Sequence, residues 1–250
     1  MRALILAFAA ASLVAQTNPL ANSRDAIEAG KGMFRIYCSP CHGLGAQGGR
    51  APDLTTGNFS AGPTDAALFA VVSGGIAGTE MPAYSSRFDA DGIWRILAYL
   101  RSIGGKAQPP PNGDPAKGET LYWGKAGCGG CHRIGARGGR LGPELSAIGR
   151  MRSLAYLREA LVEPGARLTP GYETLTVQTR DGRTITGVQK NYDAFSAALM
   201  DSSERYHAFL TEEVRSVKRE TRSLMPPTRL PDPGLDHLLA YLVSLRGAPK

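Results

Sequence analysis

Cys38-Ser39-Pro40-Cys41-His42 and Cys128-Gly129-Gly130-Cys131-His132 are two copies of Cys-x-x-Cys-His, and together they use all four cysteines of the 250-residue chain. Two thiols one helical turn apart can add to the two vinyl groups of a single porphyrin, and the histidine that follows is then held at the iron. The sequence therefore predicts two covalently bound haem c groups. Cys38, Cys41, Cys128 and Cys131 are the expected attachment points, and His42 and His132 the proximal iron ligands. Two other chemistries use paired cysteines, and both fit poorly. A redox dithiol of thioredoxin type expects a βαβ setting and no following histidine, and structural zinc sites place their pairs much closer than Cys41 and Cys128.

Working outward, the chain repeats itself. Residues 38–54 (CSPCHGLGAQGGRAPDL) match 128–145 (CGGCHRIGARGGRLGPEL), with one extra residue after the shared arginine. Ile93 to Ile103 and Leu235 to Leu245 carry the same apolar periodicity of a closing helix. Gly30 to Phe34 and Gly118 to Tyr122 each place an aromatic four residues after a glycine on a helix leading into the cysteines. The expected order in each unit is helix, haem motif, ligand loop, helix. Pro109-Pro110-Pro111-Asn112-Gly113 reads as an extended linker. The motifs are offset by 90 residues and the closing helices by 142, so the second unit carries about 52 additional residues.

That extra segment changes character. A helix from about Leu154 to Glu163, capped by Ser153 and stopped by Pro164, precedes alternating and β-branched runs at 172–180, 183–190, 195–200, 206–210 and 214–220. Asp181-Gly182 is the pair favoured in a two-residue hairpin turn. The fold class read from this pattern is mainly α, with a small antiparallel β-sheet inserted at about 171–220 of the second unit. The boundaries are 1–15 for a leader, 23–105 for the first domain, 106–113 for the linker and 114–250 for the second domain.

Ala3 to Ala15, behind Arg2, is apolar but too short to span a bilayer, and reads as a secretory signal peptide, an uncleaved anchor being the alternative. The expected location is periplasmic. With 42% hydrophobic residues the chain is an ordinary globular protein. Its formal charge of +7 falls to +6 without Arg2, and four haem carboxylates would bring it to about +2. The arginines are scattered rather than in one run, and nucleic-acid binding is not expected.

The second axial ligand decides whether an iron passes electrons or binds a small molecule. Met81 before Pro82, and Met225 before Pro226-Pro227, stand in loops leading to the closing helices and are the chosen sixth ligands. A proline holds the preceding residue extended and stiffens the loop. Met33 is the rival in the first unit; Met151, Met200, His207 and His237 are rivals in the second, with His237 expected on an exposed helix face. Pro52 and Pro143 are placed to offer a carbonyl to the proximal imidazole's other N–H. Arg50 and Arg140 are candidate partners for haem propionates.

The first unit, through GKGMFRIYCSPCH (30–42), EMPAY (80–84) and the closing helix, resembles class I cytochrome c. The resemblance implies a compact helical fold with histidine and methionine axial ligands. The second unit resembles the haem-binding domain of planctomycete and verrucomicrobial type, through CGGCHRIGARGGRLGPELSAIGR (128–150), DGRTITG (181–187), AFSAALMD (194–201), EVRSVKRE (213–220) and SLMP (223–226). It implies a cytochrome c core joined to a small β insertion and, as partner, a periplasmic dehydrogenase on a separate chain. Two tandem cytochrome c domains and a dihaem electron carrier are the expectation. It would be no enzyme, would bind no small-molecule substrate, and would pass electrons from a dehydrogenase to an oxidase or another cytochrome. The alternatives are a dihaem peroxidase with one open haem and an electron-accepting subunit bound within a dehydrogenase complex.

Overall fold

The computed structural model describes residues 17–57, 59, 61–104, 111–231 and 233–247. The leader and most of the linker lie outside them. The described residues of 1–46 with 54–107 form one compact unit, and those of 47–53 with 108–250 form another. Residues 47–53, read from the sequence as part of the first domain, thus belong with the second unit.

The first unit is helical. Helix α1 (Arg24–Tyr37) starts at Ser23, whose side chain accepts from the Ala26 N–H, and buries Ala26, Gly30 and Phe34 at four-residue spacing. Short α2 (Ser39–His42) carries the motif, and α3 (Asp65–Gly74) precedes the Met81 loop. Closing helix α4 (Ala90–Ile103) is capped by Asp89 and buries Ile93, Ile96, Leu97 and Leu100. At the α1–α4 crossing a Cβ on Gly30 would lie 1.9 Å from the Arg95 carbonyl oxygen, so only glycine permits the approach. Phe34, fully buried, packs on Tyr99 with ring centroids 5.4 Å apart. Burying a side chain of this size stabilises by about 2–3 kcal/mol. Buried Asn18 donates to the Trp94 carbonyl at 2.9 Å, tying the preceding segment to α4.

The second unit repeats this crossing. Helix α5 (Pro115–Trp123) opens on Asp114, whose carboxylate accepts from the N–H groups of Ala116 and Lys117, with Pro115 at the first position. It meets closing helix α8 (Gly234–Ser244) where a Cβ on Gly118 would lie 2.0 Å from the His237 carbonyl. Tyr122 and Tyr241 pair at 5.6 Å, as Phe34 and Tyr99 do. His237, expected to be exposed, is half-buried, and its Nδ1 accepts from the Asp114 N–H at 2.9 Å.

Between them lie the hairpin β1 (Arg133–Ile134) and β2 (Arg137–Gly138), short α6 (Ile148–Met151) and α7 (Leu154–Val162). Then comes the insertion: β3 (Thr174–Thr179), β4 (Thr184–Tyr192), β5 (Ser196–Met200), β6 (Tyr206–Leu210) and β7 (Val214–Glu220). They form one antiparallel sheet in the order β6-β5-β4-β3-β7. Leu175, Val177, Leu199 and Val214 build its own small core. The β3–β4 turn differs from the expected two-residue form: the Thr179 N–H bonds the Arg183 carbonyl, so Arg180, Asp181 and Gly182 make a three-residue loop with Gly182 at φ 92°. Helices prevail in the first unit, whereas the second divides between helix and sheet.

Candidate functional site

In the first unit, α1 runs directly into the motif. The Cys38 N–H bonds the Phe34 carbonyl at 2.9 Å, and the N–H groups of Cys41 and His42 bond the Cys38 carbonyl at 3.1 and 2.9 Å. This single turn brings both thiols and the imidazole together. Gly43, at φ 78°, ends it. His42 is buried, and Cys38 packs against the first core. Burial, and then the neighbouring Cys41, push the Cys38 thiol up to about 11. Reactive redox cysteines have depressed values, the opposite of what burial does to Cys38.

Met81 is half-buried against the same core. Its loop is fixed on the end of α3: the Ile76 N–H bonds the Met81 carbonyl at 3.1 Å, and the Tyr84 N–H bonds the Val72 carbonyl at 3.0 Å. Gly75, at φ 71°, makes room for it, since a Cβ there would lie 2.7 Å from the Met81 oxygen. Met33 also packs on this core, with its methyl group near Gly92.

In the second unit the turn is a 3₁₀ segment (Cys128–Gly130), yet the bonding is the same: Cys131 and His132 N–H groups reach the Cys128 carbonyl at 3.1 and 2.9 Å. His132 Nδ1 lies 2.8 Å from the Pro143 carbonyl oxygen, and the Tyr122 hydroxyl donates to the His132 carbonyl at 3.1 Å. Burial holds the imidazole below its usual range, against the Pro143 bond that raises it. A neutral ring donating from Nδ1 leaves Nε2 as a lone-pair donor, the form a metal needs.

Cys128, Cys131, His132 and Met225 all line one cavity of about 430 Å³, within the range of ligand sites. Met151 lines it too. Two thiols, an imidazole and a thioether around a mostly apolar space are the donor set of a haem c, and these residues fit that group. Gly142 confirms the close fit around the imidazole, because a Cβ there would sit 2.5 Å from its Cε1. Among the described residues there is no group of three or more histidine, cysteine and acidic side chains that could hold a metal ion.

The remaining candidates fall elsewhere. Arg50 lines the cavity of the second unit, to which its segment belongs. Pro52 is half-buried beside buried Asp53, whose N–H bonds the Met151 carbonyl at 3.0 Å. Arg140 is exposed, and both its backbone N–H and its guanidinium bond the Glu204 carboxylate. Met200 is on β5, and His207 on β6 pairs with Asp201 at 2.7 Å. Residues the sequence reading missed include Arg152, Tyr156, Arg167, Tyr172 and Val188, all in the cavity wall. They stand 20 to 56 residues beyond His132, and no motif links them to it. Among the described residues no helix is long and apolar enough to cross a membrane.

Residues 25–100 match the family described as "Cytochrome C oxidase, cbb3-type, subunit III". The subunit CcoP of a cbb3-type cytochrome c oxidase from Azospirillum brasilense is 34% identical over 102 residues, which are 38% of this chain and 34% of that protein. Cytochrome c550 of Pseudomonas aeruginosa is 32% identical over 88 residues, 34% of this chain and 61% of that one. The chain spans about a third of the length of the first of these relatives. Among solved structures, cytochrome cL of Methylophaga aminisulfidivorans aligns at 29% identity and a TM-score of 0.35, covering 36% of this chain and 61% of that one. Residues 25–100 are thus similar to a cytochrome c domain. In that segment the similarity implies covalently bound haem c.

Proposed function

We propose that the chain is an exported dihaem c-type cytochrome built of two tandem domains, 23–105 and 114–250, joined by the 106–113 linker. The second domain is of the planctomycete and verrucomicrobial type. The observation that carries this reading is the recurrence in the second unit of the whole first-unit device. The glycine-mediated helix crossing, the aromatic pair and the two hydrogen bonds to the first cysteine's carbonyl all appear twice.

When bound, each haem supplies one reversible electron through its iron. The residues do the rest. The cysteine pairs tether the porphyrins at Cys38 and Cys41 and at Cys128 and Cys131. His42 and His132 would hold the irons, and the Pro143 carbonyl keeps the His132 ring in its ligating tautomer. Met81 and Met225 would add a thioether to each, a donor set that suits a carrier between redox proteins rather than a peroxidase. A periplasmic dehydrogenase is the proposed donor. The oxidase subunits among the relatives favour an acceptor on the oxidase side. Intact-mass measurement after expression in a maturation-competent host tests the reading. Two haem adducts and two redox waves are expected; a single adduct on the full chain overturns it.

A further inference from the structure

We propose that Arg152 and Arg167, which bracket the Tyr156 ring in the wall of the second cavity, form the subsite for the carboxylates of that unit's haem. The proposal rests on the reading that the second unit binds haem, and it displaces Arg140, the arginine that the sequence offered for this role.

Three observations converge on the pair. Both guanidinium groups face the ring of Tyr156, their carbons 5.2 and 5.7 Å from its centroid, and all three residues line the cavity that holds Cys128, Cys131 and His132. Stacking on one aromatic ring fixes two long side chains that would otherwise carry large rotamer entropy. The second observation is charge. Among the described residues, Arg50, Arg152 and Arg167 line the cavity, against one acid, Glu144. That carboxylate is already engaged by the Ser146 N–H, at 2.8 Å, and by the Ser146 hydroxyl. A mostly apolar cavity lined by more basic than acidic side chains suits an anionic, amphiphilic occupant.

The third observation is the donor inventory. Arg152 gives one N–H to the Met151 carbonyl at 2.9 Å and one to the Gly49 carbonyl at 2.5 Å. Arg167 pairs with Glu159 at 2.8 Å. An arginine carries five N–H donors, so each retains several for a carboxylate. Arg140 cannot serve in the same way. Its ion pair with Glu204 parallels that of Arg167 with Glu159, but unlike Arg152 and Arg167 it is absent from the cavity wall. Glu204 itself adopts φ 58°, a left-handed conformation that costs a non-glycine residue energy and is sustained here by its bonds to Arg140.

A cation close to the haem favours the reduced iron, which carries one positive charge fewer. Removing it stabilises the ferric form and lowers the potential. Redox titration of the full-length holoprotein, with haem content counted by mass, reads this directly. R152Q and R167Q each should move one of the two waves to lower potential and leave the other in place, with two adducts retained. R152K and R167K should restore most of the shift, because they keep the charge. R140Q should leave both waves unmoved. Two adducts with unmoved waves in both R152Q and R167Q would overturn the proposal alone, as would a shift in R140Q that R167Q lacks. A wild-type chain with one adduct would instead remove the reading on which the proposal rests.

Discussion

A methyl group added at Gly142 would sit 2.5 Å from Cε1 and 2.6 Å from Nδ1 of His132. Neither the ring nor the Pro143 carbonyl can yield without breaking the 2.8 Å contact between them. Gly142→Ala is therefore expected to cost about 1–3 kcal/mol and to displace one redox wave only. Thermal melting and titration of the holoprotein measure both effects, and an unchanged wave would refute the positioning argument. At this scale the sequence was informative where the chemistry is local. Cys128, Cys131 and His132 lie within one turn, and Pro143 follows His132 at an interval similar to that between His42 and Pro52 in the first unit. The partner of Arg140 was not legible, because Glu204 lies 64 residues away and is brought in by the fold of a sheet.

At the scale of elements, two helical glycines that each follow a lysine behave differently. Gly118 faces the His237 carbonyl at 2.0 Å from a would-be Cβ, whereas nothing lies within 4 Å of one at Gly32. Gly118→Ala should force α5 and α8 apart and lower the melting temperature. Gly32→Ala, mid-helix and exposed, should raise stability by about 0.5–1 kcal/mol through helix propensity. Reversed signs in the two melts would contradict the crossing described above.

The β4–β5 turn offers a pH test. The Asn191 side chain and the N–H groups of Phe195 and Ser196 hold the Asp193 carboxyl at about 2. Its unfolded value is near 4, so the folded state binds fewer protons between those limits. The stability it contributes is present above about pH 4 and is lost as pH falls through 2. Asp193→Asn should flatten that part of the acid unfolding curve of the sheet, followed by circular dichroism; an identical curve would show that the turn does not rely on the charge.

For the whole molecule, the proposed dihaem reading assigns one methionine to each iron, and that assignment is testable. Met81→Ala and Met225→Ala are each expected to lower a different wave and to remove one methionine-to-iron absorption signal. Loss of the same signal in both variants would reassign one ligand, and Met151, in the wall of the second cavity, stands ready as the alternative.

The sequence by itself determined the two Cys-x-x-Cys-His turns, the two closing helices and the strands of the insertion, since each depends on spacing within a turn or on a periodicity of two to four residues. It also exposed the duplication. Only the tertiary structure decided which side chains wall the second cavity, that Arg140 is held by Glu204, and that Arg152 and Arg167 share Tyr156. Those choices depend on contacts made when separate elements close on one another, and burial in an apolar space, rather than sequence distance, selects the charges that remain there.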